Sequence, residues 1–172
     1  MSENPTATCV QAEVLDGHRW LQQLIGEWDY EGECSMGPEQ PAARFQGRET
    51  VRGLGDVWVV GEGEGQGPDG STGRTLITLG YDPRLGCFTG SFAGSMMTHL
   101  WRYEGQLDAA RRVLTLATEG PDFSGGTSGG GLVRYEDIVT LEADGGRSLT
   151  SRMQGADGQW HQLMHSRYRR RG

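Results

Sequence analysis

From Glu27 onward the chain alternates apolar and polar residues with period two, and clusters of turn-forming residues interrupt the alternation at intervals typical of antiparallel sheets. This pattern predicts strands near residues 27–35, 43–54, 56–65, 74–82, 87–95, 97–104, 112–119, 134–142, 147–154 and 158–169. The connections include Asp82-Pro83-Arg84-Leu85-Gly86, Ala143-Asp144-Gly145-Gly146 and Ala156-Asp157-Gly158, short runs of residues that preset a bend or tolerate positive φ. Such turns join antiparallel neighbours, whereas a parallel sheet needs long, usually helical, crossovers. Upstream, Leu15, His18, Trp20, Leu21, Leu24 and Ile25 have helical spacing, with Asp16 placed to cap a short helix and Gly26 to end it. Two connections are longer, Gly65 to Gly73 and Gly120 to Gly131, and the second has the glycine content of a lid.

Glycine sharpens the fold expectation. The chain holds 29 glycines, many inside the strand segments, among them Gly47, Gly53, Gly61, Gly63, Gly90 and Gly94. Glycine weakens a flat strand but permits the bulges and coiling that close a sheet on itself. The expected fold is therefore all-β: an antiparallel up-and-down barrel of about ten strands behind a short N-terminal plug helix. Residues 1–14 are expected to be a disordered leading segment, and 15–172 a single barrel domain.

Gly26-Glu27-Trp28, directly after the helix and at the start of the first strand, resembles the G-x-W element of lipocalin-type barrels. That resemblance implies that Trp28 covers one end of the core and that a basic residue of the last strand, Arg167 or Arg169, packs on it. A wider match is carried by Leu79-Gly80-Tyr81-Asp82, Ser95-Met96, the stretch Gly105 to Leu116, Gly120-Pro121-Asp122, Met153, Gly155-Ala156-Asp157-Gly158, Met164 and Tyr168-Arg169. With these residues the chain resembles the bacterial family catalogued as domain of unknown function 1579, from about His18 to Arg170. The resemblance implies a lipocalin-like fold and supplies no catalytic residues. Family members usually carry lysines, and this chain has none.

The absence of lysine also removes any mechanism built on a Schiff base or a desolvated amine nucleophile. A net charge of −7 disfavours nucleic acid and anionic membranes as partners, and the terminal Arg-Tyr-Arg-Arg-Arg run reads as a solvated strand end. The three cysteines, Cys9, Cys34 and Cys87, form no C-x-x-C pair and read as reduced. With neither a signal-peptide pattern nor a long apolar run, the expected location is cytoplasmic.

Candidate chemistry lies on inward faces. Met97, His99, Trp101 and Tyr103 share one face of the sixth predicted strand; Trp160, Gln162, Met164, Ser166 and Tyr168 share one face of the last, leaving His161 and His165 outside. Trp28, Met97, His99, Trp101, Tyr103, Met153, Trp160 and Met164 are thus expected to line the interior. Glu62 and Glu64 read as a solvated pair at a strand end, and Met96 joins the other methionines as adaptable apolar wall. The leading function is a barrel that binds a small apolar or amphipathic molecule in an enclosed cavity of a few hundred Å³, with no cofactor or metal expected. Two rivals remain open: a small isomerase or hydrolase using His99 with Tyr103 or a carboxylate, and a haem-binding or gas-sensing barrel. Nitrobindin-type barrels hold haem through a histidine near the end of the chain, which keeps the second rival open. A homodimer is kept as a candidate assembly.

Overall fold

A strand with one apolar face needs hydrogen-bonding partners on both edges and a cover for that face, and a closed barrel supplies both. In the computed structural model, which describes residues 11–35, 41–122 and 131–172, the chain meets these needs by curling completely. A helix α1 (Asp16–Gln22) precedes ten strands: β1 (Gly26–Cys34), β2 (Ala43–Leu54), β3 (Trp58–Gln66), β4 (Thr72–Asp82), β5 (Cys87–Gly94), β6 (Trp101–Leu107), β7 (Val113–Pro121), β8 (Leu132–Leu141), β9 (Arg147–Gln154) and β10 (Trp160–Arg170). Sequential strands pair antiparallel throughout, and β1 closes the ring against β10, with Trp28 opposite Arg170 and Cys34 opposite Met164. The closed antiparallel barrel and its short helix are as the alternation predicted. Among the described residues, no helix is long and apolar enough to cross a membrane.

Most strand ends lie within two residues of their expected positions; the largest shift is in β6, which begins at Trp101 rather than at 97. The intervening residues are tied into a turn instead of a ladder: the Ser95 amide donates to the Arg74 carbonyl and the Met97 amide to the Gly94 carbonyl. His99 therefore sits in the β5–β6 connection, not on a strand face. The expected lid spans residues 120–131, of which 123–130 lie outside the described residues; Gly120 and Pro121 belong to β7.

Helix α1 is fastened by histidine rather than by Asp16. The Leu15 amide donates to His18 Nδ1 at 2.9 Å, so Nε2 carries the ring proton and donates to the Tyr81 carbonyl of β4, also at 2.9 Å. Asp16 is the first helical residue and pairs with Arg19 at 2.8 Å, so it is not the cap. Trp20, 1% exposed, donates its indole N–H to the Arg111 carbonyl in the β6–β7 turn. The helix ends before Gly26, which opens β1 at φ +148°; a side chain there would strike the Arg170 guanidinium.

Trp28 lies in the closed end, 1% exposed, with its indole N–H donated to the Leu24 carbonyl at 2.9 Å. Its cationic partner is neither Arg167 nor Arg169. Both alternate to the outside, where Arg169 meets Glu31. Arg170, directly opposite Trp28 in the β1–β10 register, stacks at 4.3 Å from the ring centroid and ties the end of the helix by donating to the Gln23 and Ile25 carbonyls at 2.7 Å each. Arg147 approaches the same ring at 4.9 Å. A second correction comes from a bulge between Gln162 and Met164, which reverses the alternation in β10. Beyond it Met164, Ser166 and Tyr168 face inward as expected, but before it His161 pairs with inward Met153, and Trp160 turns to the outer face, where Arg152 covers its ring at 4.8 Å.

Replacing Trp28 with Ala is expected to cost about 3–5 kcal/mol, the ordinary penalty for emptying a buried aromatic site, because the helix above can collapse only partly into the gap. Urea unfolding measures it. Arg169→Ala, on the outer face, should move the midpoint far less, and an equal loss in the two variants would contradict the register.

Candidate functional site

The interior is packed unevenly. In the half beneath α1, Val51, Val59, Leu79, Phe88, Leu114, Leu116 and Val139 are buried together with Trp20, Leu21, Leu24 and Trp28. In the other half, Phe45, Ile77, Phe92, Leu149 and Met164 also face inward, since each pairs with an inward neighbour, yet they are only half-buried. Trp101, Tyr103, Tyr135 and Met153 of that half are buried in the same cluster, and Ile77, Phe92 and Leu149 pack against it, so the half away from the helix is less fully covered and its remaining open inward surface borders the lumen. At that end a cleft of about 870 Å³ runs along β1, β2 and β10, lined by outer-face Glu31, Arg44, His165 and Arg167 as well as by Gly32, Phe45 and Met164.

Glycine opposite aromatic residues shapes this half. The Tyr30 ring lies across Gly47 and Gly65 on the two strands that follow, and the Trp101 ring lies against Gly120; a Cβ at any of the three would collide with the ring. The aromatics can therefore lie flat along the wall rather than project into the space.

Two paired polar networks occupy the interior. At the filled end Arg147 pairs with Glu49, and its guanidinium lies 4.0 Å from the centroid of the Tyr168 ring. Burial, followed by the Glu49 charge, pushes the Tyr168 phenol far above its ordinary value, and the same two causes raise Tyr30. Higher in the barrel, Asp137 of β8 accepts hydrogen bonds from the Tyr103 hydroxyl of β6 on one carboxylate oxygen and from the Ser151 hydroxyl of β9 on the other. Tyr103 reaches Asp137 across the intervening strand β7, so this network lies inside the lumen. Burial raises the Asp137 carboxyl above the usual carboxylate range, against the opposing pull of the Ser151 and Tyr103 bonds. Asp137 nevertheless keeps part of its surface open, which on an inward position means open to the lumen. Tyr103 is held well above its ordinary value, first by burial and then by the Asp137 charge.

The wall above this network gathers several of the residues singled out from the sequence. Trp101 meets Tyr135 edge to face at 4.9 Å and His99 at 4.8 Å, and it donates its indole N–H to Met97 Sδ at 2.9 Å. Tyr135 is directly opposite Met153, and its hydroxyl donates to the Pro121 carbonyl. Met97, His99, Trp101, Tyr103 and Met153 thus share one side of the open half, and Met164 stands beside Ser151. Trp28 is separated from them at the closed end, and Trp160 is on the outer surface. His99 Nε2 is hydrogen-bonded to the Glu119 carbonyl at 3.0 Å, and the Tyr103 hydroxyl is engaged by Asp137 and not by His99. His165 faces outward onto Thr150, and His161 is exposed near Asp157. Glu62 and Glu64 are solvated and pair with Arg52 and Arg74. Met96 is exposed at the rim, its methyl close to Gly73.

Asp137, Ser151 and Tyr135 were not singled out from the sequence. Asp137 and Ser151 were legible only as single polar residues inside otherwise apolar inward faces, Asp137 between Tyr135 and Val139 and Ser151 between Leu149 and Met153.

The family model for "Protein of unknown function (DUF1579)" matches residues 13–170. The chain belongs to this family. No curated protein matches it. Among solved structures, it is similar to Rv2717c from M. tuberculosis, with 13% identity and a TM-score of 0.60 over 93% of this chain and 100% of that one. It is also similar to EF1p2_mFAP2b bound to DFHBI, at 11% identity and TM-score 0.48 over 91% and 100% of the two chains. A fluorescence-activating β-barrel designed de novo follows at 12% identity and TM-score 0.41, over 87% and 95%. The first of these likenesses shows the barrel fold.

The raised Asp137 carboxyl fixes the sign of a pH effect. Between its ordinary and its folded value the native state holds more protons than the unfolded chain, so this group's contribution to stability falls as pH rises through that window and stays lower above it. Asp137→Asn of this DUF1579 protein should therefore raise the thermal midpoint at neutral pH, and the gain should disappear in acid below the ordinary carboxylate range. A midpoint lowered at neutral pH would show that the charged form is favoured by folding.

Proposed function

We propose that this protein binds a small amphipathic molecule in the open half of its barrel. One observation carries the reading: Phe45, Ile77, Phe92, Leu149 and Met164 face inward yet keep surface unburied, an arrangement that leaves apolar area without a cover. A protein that needed only stability would fill this space, because unfilled apolar volume weakens a core. Apolar walls with a few convergent polar groups are the usual make-up of a ligand pocket, and Asp137, Tyr103 and Ser151 supply that polar group here. In this reading Met97, Trp101, Tyr103, Met153 and Met164 contact the ligand from the wall, with His99 supporting Trp101 from the rim. Trp28 serves the fold, and Trp160 has no part in the pocket.

The rivals draw less support. A catalytic or haem-ligating His99 would need an imidazole aimed into the lumen, whereas its Nε2 is held by a backbone carbonyl. Of the histidines near the end of the chain, His165 faces outward onto Thr150, and His161, though on the side of Met153, is exposed beside Asp157.

Nile red, a neutral dye that brightens in apolar surroundings, should bind at one site per chain. Ile77→Trp places a large ring into the open half and should weaken dye binding about tenfold or more while circular dichroism stays that of a β-barrel; such overpacking costs about 1–3 kcal/mol of stability. Dye binding unaffected by Ile77→Trp would place the site outside the barrel. Mass spectrometry of molecules that copurify with the native protein then identifies the ligand.

A further inference from the structure

We infer that the lumen selects a cation, so that the polar end of the ligand is an amine or ammonium group seated on Asp137. This rests on the lumen being a binding site and adds the charge of its occupant. All 16 basic residues of the chain are arginines, and every one lies among the described residues. None pairs with Asp137. The inward-facing carboxylate at the filled end, Glu49, is matched by Arg147, so among the described residues the charge left over inside the barrel is that of Asp137. Each of its oxygens accepts one hydrogen bond, from Tyr103 or from Ser151, and each retains a second lone pair. An N–H donor carrying positive charge would complete both the hydrogen bonding and the charge.

The surroundings favour the same occupant. Tyr103, Tyr135 and Trp101 supply aromatic faces on this side of the lumen, and ring faces attract cations, most strongly when water is excluded. Thr118 pairs with Tyr135 across β7 and β8 while Leu116 pairs with Asp137, which places Thr118 diagonally beside Asp137, one step nearer the open end. Its hydroxyl is buried and has no hydrogen-bond partner among the described residues, leaving an oxygen to accept from a ligand N–H. An anionic ligand would meet the Asp137 charge at close range, and the Tyr103 hydroxyl that might have received it is already donated to Asp137. Burial of the carboxyl lowers its tendency to ionise when the lumen is empty, and an ammonium partner reverses that effect.

Three ligands of one shape and different charge test the inference: phenethylamine, phenethyl alcohol and phenylacetate, each displacing Nile red from the full chain near neutral pH. The amine should displace the dye at a concentration about tenfold or more below the alcohol, a gap of the size expected for charge-assisted hydrogen bonding, with phenylacetate weakest. Asp137→Asn should bring the amine and the alcohol to within about twofold of each other. Glu136→Gln, on the outer face, should keep the preference. Equal displacement by amine and alcohol in the unaltered protein, or a preference for phenylacetate, overturns the cation assignment while leaving the pocket in place. An amine preference that survives in Asp137→Asn overturns the role of Asp137. If Nile red does not bind and calorimetric titration with phenethylamine gives no heat, the pocket itself is lost and the inference with it.

Discussion

The pairing of β1 with β10 is the constraint on which the rest of the molecule depends. Once Trp28 is opposite Arg170 and Cys34 opposite Met164, no strand has a free edge, and the inner and outer faces of every strand are fixed in a single pattern around the ring. Backbone hydrogen bonds alone do not select that register. It is favoured because it brings the indole of Trp28 under the Arg170 guanidinium, and the same guanidinium holds the end of the helix through two carbonyl oxygens. Closing the sheet and plugging its end are one event, with the same residues serving both.

The two halves of the barrel answer different physical demands. Beneath the helix, tryptophan, leucine and valine fill the volume, and the charge of Arg147 is tolerated because Glu49 and two aromatic rings surround it. At the other end, glycines let Tyr30 and Trp101 lie flat, and Phe45, Ile77, Phe92, Leu149 and Met164 are only half-buried. An incompletely covered apolar wall and a carboxylate without a cationic partner both reduce stability, and they occur in the same half. Both features lie where the proposed ligand would sit.

Period-two alternation carried most of the architecture, because in a closed antiparallel barrel every strand presents one face to the core and one to water. Where a local feature broke the alternation, the sequence reading went astray. The bulge after Gln162 adds one residue to β10, which sends Trp160 outward to Arg152 and leaves His161 on the side of Met153; nothing in Trp160-His161-Gln162-Leu163-Met164 marks that extra residue. The even positions of the same strand did point inward from Met164 onward, and extending them to Arg170 would have identified the partner of Trp28 in place of Arg167 or Arg169. His99 failed for a different reason. Its alternation with Trp101 and Tyr103 continues a strand pattern through residues whose backbone is committed to a turn over β4.

By itself the sequence determined the strand count, the antiparallel order, the plug helix, the burial of Trp28 and the inward face shared by Trp101 and Tyr103. All of these follow from alternation, turn chemistry or a local motif, which act over a few neighbouring residues. Tertiary structure alone decided which polar residues meet inside. Tyr103, Asp137 and Ser151 come from β6, β8 and β9 and touch only because closure fixes three strand registers together, one of them across an intervening strand. The pairing of Glu49 with Arg147, far apart in the chain, is decided in the same way. A lone aspartate in an apolar strand reads from the sequence as an interruption; its meaning depends on what faces it across the lumen, and that is set by the curvature of the whole sheet.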